Sequence, residues 1–68
     1  MNNIKGQPII DGDILAESYM TPVEERIIIK EIEGKLYWRR LMGDVADRTP
    51  INSLEGERYL TIENIYKS

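Results

Sequence analysis

A chain of 68 residues with neither cysteine nor histidine has room for one compact domain, and it excludes the disulfides and Cys/His zinc sites that staple many very small proteins. With 41% hydrophobic and 31% charged residues, stability has to come from aliphatic packing or from burial against a partner. Nine Lys and Arg against twelve Asp and Glu set a formal net charge of -3, which favours solubility and weighs against general attraction to nucleic acid. Residues 1–34 carry three cations and seven anions and residues 35–68 carry six and five, so the acidity sits in the first half. It is too sparse for a mimic of the DNA phosphate track.

Eleven Ile stand beside five Leu, two Val and no Phe. Branching at Cβ stiffens χ1 and suits a pleated surface, so the composition leans toward strands. At the start, Met1-Asn2-Asn3-Ile4-Lys5-Gly6 contains no apolar leader, and residues 1–6 read as a flexible lead-in to a single domain spanning 1–68. The longest aliphatic run, Ile27-Ile28-Ile29, is far too short to span a bilayer, which makes a cytoplasmic location the expectation.

Asp11-Gly12-Asp13, with Glu17 beyond, invites comparison with a calcium loop. That pattern fails, because Leu15 stands where an oxygen ligand is needed and Gly12 is in the second place. The segment reads instead as a turn with solvated carboxylates entering a strand at Gly12–Met20. In that strand Ile14, Ala16 and Met20 share one face, and Asp13, Glu17 and Tyr19 the other. No metal and no cofactor is expected.

Thr21-Pro22-Val23-Glu24 has the form of a capping box with Pro at the first helical position. Val23, Ile27, Ile28 and Ile32 fall at helical spacing, so a helix at about 22–33 in an α+β fold is the alternative reading. Three consecutive β-branched residues and the following Leu36-Tyr37-Trp38 favour strands. A short helical turn at 22–25 satisfies both patterns.

Two β-rich runs flank Glu33-Gly34 and predict a hairpin. A two-residue loop pairs Ile32 with Lys35, Glu31 with Leu36, Lys30 with Tyr37, Ile29 with Trp38, Ile28 with Arg39 and Ile27 with Arg40. Ile27, Ile29, Leu36 and Trp38 then form the core face, with Glu31 and Arg40 at its ends. The outer face collects Ile28, Lys30, Ile32, Lys35, Tyr37 and Arg39, a mixture of aliphatic, aromatic and cationic groups that makes it the candidate partner-binding surface. Asp44 and Asp47 read as loop residues after Gly43, and Pro50–Glu55 as a short helical turn before Gly56. Arg58–Tyr66 reads as the last strand, with Leu60 and Ile62 inward and Tyr59, Thr61 and Glu63 outward.

The expected fold is mainly β: a small, strongly bent antiparallel sheet or SH3-like barrel of four or five short strands with a short helical turn. Without His or Cys, and with no glycine-rich phosphate loop, catalytic groups are scarce and no enzymatic activity is expected. The expected function is that of a non-enzymatic protein-binding module, of the kind with which a phage or bacterium inhibits or regulates a larger protein. A nucleic-acid-binding small barrel and a structural subunit of a homo-oligomeric assembly are the alternatives.

Overall fold

The turn at Glu33–Gly34 organises the sheet. Both residues have positive φ, 53° and 80°, the combination that defines a two-residue turn whose twist matches that of the flanking strands. Strands β2 (Ile27–Ile32) and β3 (Lys35–Arg40) leave it in the predicted register, from Ile32 opposite Lys35 to Ile27 opposite Arg40. The computed structural model describes residues 1–54 and 58–67, and the turn expected at Glu55–Gly56 lies outside them.

Three more strands complete a five-stranded antiparallel sheet: β1 (Asp13–Ala16), β4 (Thr49–Pro50) and β5 (Leu60–Asn64). Their spatial order is β4-β3-β2-β1-β5, so the last strand returns to pair with the first. Among the described residues the sheet is open, with β4 and β5 as its edges, so the expected mainly β fold is adopted as an open antiparallel sheet. β4 is only two residues long and ends on Pro50, which has no N–H to offer a further strand.

No α-helix occurs among the described residues. The helix considered at 22–33 shrinks to one 3₁₀ turn at Val23–Glu25, and Ile27–Ile32 is strand throughout. The expected capping box does not form either. Thr21 Oγ1 accepts the Ser18 backbone N–H at 3.1 Å, and Ser18 Oγ accepts the Met20 N–H at 3.1 Å. These local bonds turn the chain at residues 18–21 and end the first strand at Ala16, well short of Met20. A second 3₁₀ turn, at Ile51–Ser53, matches the expectation for that segment.

The main core is built on one face of the sheet from Leu15, Ile27 and Ile29, joined by Ile9 and Leu54 and flanked by Leu36, Trp38, Ile51 and Tyr59. Leu15 and Ile29 are fully buried, each adding about 1.5–3 kcal/mol relative to an exposed position. Trp38 lies half-buried on this face as expected. Its indole Nε1–H donates to Ser53 Oγ at 2.9 Å, and Ser53 donates in turn to the Pro50 carbonyl at 2.8 Å, tying the second 3₁₀ turn to the hairpin.

Four further expectations change. Residues 1–6, read as a flexible lead-in, are bonded into the domain: Asn2 bridges to Pro8, the Ile4 N–H donates to the Tyr59 carbonyl, and Asn3 is buried. Asn3 Oδ1 accepts the N–H groups of Lys5 and Gln7, while Nδ2 donates to Gln7 Oε1 and Thr61 Oγ1. Asp13 is buried as well and is a structural acceptor rather than a solvated group, and the partly exposed Asp11 also accepts a backbone N–H. Asp13 Oδ2 takes the Ile10 N–H at 2.9 Å, Asp13 Oδ1 takes Asn64 Nδ2 at 2.7 Å, and Asp11 Oδ1 takes the Glu31 N–H at 2.8 Å.

The third change concerns β5. Leu15 pairs with Thr61 and Ile14 with Glu63, so Ile62 is an extra residue in a bulge. Leu15 and Ile14 point to opposite faces, and so must their partners, although Thr61 and Glu63 would share a face in a regular strand. Thr61 therefore lies on the core side and Leu60, opposite Ala16, on the other, while Tyr59 packs against the core rather than facing outward. The fourth change is Ile28. Its partner in β1 is Ile14, and each is only 4% exposed, so both faces of the sheet are covered at this point.

Candidate functional site

Alternation along the hairpin sends Lys30, Ile32, Tyr37 and Arg39 to the face opposite the core. Lys30 stands directly across from Tyr37, and all four side chains are half-buried. The segment after β3 supplies a second wall. Asp44 Oδ1 accepts the Ala46 N–H at 2.9 Å and the Asp44 carbonyl accepts the Asp47 N–H at 3.0 Å, so the chain turns back toward β4. This return borders a groove of about 350 Å³ with Val45, Asp47 and Arg48. Its volume is at the low end of the roughly 300–1,000 Å³ typical of ligand sites.

Three cations, Lys30, Arg39 and Arg48, and one carboxylate, Asp47, line this groove. The surface is thus locally positive on a protein whose net charge is -3. Arg39 is held in place by its own strand end: one guanidinium nitrogen donates to the Arg40 carbonyl at 3.1 Å and to the Leu41 carbonyl at 3.4 Å. The rest of the lining comes from Ile32, Tyr37, Trp38 and Val45, the last of which is 79% exposed. Apolar and cationic groups lining one groove can bury side chains of a partner while orienting it through charge.

Of the six residues expected to form a binding surface, the groove brings together Lys30, Ile32, Tyr37 and Arg39. Lys35 is exposed but lines a neighbouring depression with Leu36, Tyr37, Pro50, Ile51 and Asn52, and Tyr37 is common to the two. Ile28 belongs to neither. Its burial against β1 removes it from the contact surface, a correction that follows from Ile14 being its cross-strand neighbour. Val45 and Arg48 were not anticipated as site residues, and Asp47 was read only as loop punctuation. A single valine in an otherwise small and polar loop was the available clue.

Among the described residues no group of three or more Asp and Glu side chains is arranged to hold a metal ion, and every buried side-chain nitrogen and oxygen has a hydrogen-bond partner. No helix among them is long and apolar enough to cross a membrane. Fold and groove together define a class: a small all-β domain, an open five-stranded antiparallel sheet with a cationic, aromatic-lined groove on the outer face of its central hairpin. No family model, no curated protein and no solved structure matches the chain.

Proposed function

We propose that this protein is a non-enzymatic binding module that docks on a larger protein through the outer face of the β2–β3 hairpin, acting as an inhibitor or regulator in the cytoplasm. The observation that supports this is the groove itself, which Ile32, Tyr37 and Val45 line together with Lys30, Arg39 and Arg48. Tyr and Arg are the residue types most enriched among interface hot spots, and their burial supplies affinity while the flanking charges set orientation and association rate. The same cations could track a nucleic-acid backbone. Asp47 within the groove and the net charge of -3 weigh against that reading, because both repel phosphate.

The test is partner capture from an extract of the source cells, comparing the native chain with Tyr37→Ala/Arg39→Ala. Both side chains lie away from the main core, so the variant should keep its far-ultraviolet dichroism while losing at least about tenfold in capture, in line with the 2 kcal/mol or more of hot-spot pairs. Unchanged capture by a folded variant rejects this surface.

A further inference from the structure

Resting on the reading of the outer hairpin face as a protein-docking surface, we infer that its occupant is an acidic segment in extended conformation, with carboxylates on Lys30, Arg39 and Arg48 and an apolar side chain between Ile32, Tyr37 and Val45. Charge complementarity carries the assignment. The groove has a positive excess of two, from three cations against Asp47 alone, whereas the protein as a whole is at -3. A positive excess confined to one groove selects for anions there and not over the rest of the surface.

The arrangement favours separate carboxylates over a continuous phosphate track. Asp47 lines the groove together with the cations, so a ligand with one charge per backbone unit that follows the groove would have to bring a charge near it. A peptide can instead carry acidic, apolar and acidic side chains at every second position, so that all three turn to the groove while the residues between them face solvent. The two bonds from Arg39 to the carbonyls of Arg40 and Leu41 orient the guanidinium before any ligand arrives, which lowers the ordering cost of binding.

Fluorescence anisotropy with three labelled probes tests this: a short peptide with glutamate, leucine and glutamate at every second position and serine between them, the same peptide with lysine in place of glutamate, and a single-stranded oligothymidine of equal length. The acidic peptide should bind, with affinity falling as salt is added. Arg48→Glu, an exposed loop substitution that leaves the core untouched, should weaken it at least about tenfold, and Lys30→Gln by a smaller factor. The lysine peptide and the oligonucleotide should bind far more weakly than the acidic one. Absence of acidic-peptide binding, equal binding by Arg48→Glu, or tighter binding of the oligonucleotide overturns the inference. If any of these occurs while partner capture still depends on Tyr37 and Arg39, the acidic chemistry alone is wrong and the docking surface stands. Loss of both dependences removes the surface as well.

Discussion

Gly12 and Gly34 have nearly the same backbone conformation, φ of 87° and 80°, at two corners of one sheet, but their surroundings differ. A Cβ on Gly12 would come within 2.5 Å of the Tyr66 ring and 3.1 Å of Asn64 Oδ1, whereas on Gly34 it would meet nothing within 4 Å. The hairpin tip is a local device, built from two adjacent residues and the strands that leave them. The Asp11–Asp13 corner is assembled from the two ends of the chain. Asn64 Nδ2 donates to the Asp11 carbonyl and to Asp13 Oδ1, Asn64 Oδ1 accepts the Tyr66 N–H, and the Gly12 carbonyl accepts the Ile65 N–H. The same backbone conformation therefore has unequal consequences, according to how much of the fold closes around it.

Gly12→Ala should show the largest effect, destabilising by about 2–4 kcal/mol from positive-φ strain together with overpacking against Tyr66. For a domain of this size that is a large share of the whole stability. Urea unfolding followed by Trp38 fluorescence measures it, and Gly12→Ala/Tyr66→Ala sharpens it. Removing the ring should recover the overpacking part, so the double variant should be more stable than the sum of the two single changes by about 1 kcal/mol. Simple additivity would mean that Tyr66 does not close on Gly12.

Asn64→Ala comes next, at about 1–3 kcal/mol, because it strips Asp13 Oδ1 and the Asp11 carbonyl of the amide that satisfies them. A midpoint shift at unchanged denaturant slope is the expected form of that loss. Gly34→Ala should cost only about 1 kcal/mol, since the added methyl has free space and only the left-handed backbone is penalised. A loss equal to that of Gly12→Ala would break the comparison. Glu33→Asn should stabilise by a few tenths of a kcal/mol up to about 1, because Glu33 already sits at φ 53° and Asn tolerates that region better. Smallest of all should be Arg48→Glu, within about 0.5 kcal/mol of the native chain, so that its effect on peptide binding is read on an equally stable protein.

The same contrast explains which parts of the molecule could be read in advance. The hairpin register followed from one turn, because a two-residue loop with Gly at its second position fixes every pair up to Ile27 and Arg40. Trp38 on the core side and Tyr37 on the other followed from alternation alone. The 3₁₀ turns at Val23–Glu25 and Ile51–Ser53 were visible in the prolines that precede them. The buried Asn3 and Asp13 were not visible, since a short polar side chain near a turn looks the same whether solvent or a distant strand satisfies it. Their partners Thr61 and Asn64 are more than fifty residues away.

The candidate site divides in the same way. Lys30, Ile32, Tyr37 and Arg39 share a face because strand periodicity puts them there. The loss of Ile28 from that face and the addition of Val45, Asp47 and Arg48 depended on what packs or folds back beside the hairpin. The chain by itself determined the β character, the central hairpin, its register and the two chemistries of its faces, because all of these follow from near-neighbour sterics and a period of two. Only the tertiary structure decided the bulge at Ile62 that sends Thr61 and Glu63 to opposite faces, the burial of Ile14 against Ile28, and the anchoring of both chain ends. Those contacts join residues far apart along the chain, and their energy exists only once the sheet has brought β1 between β2 and β5.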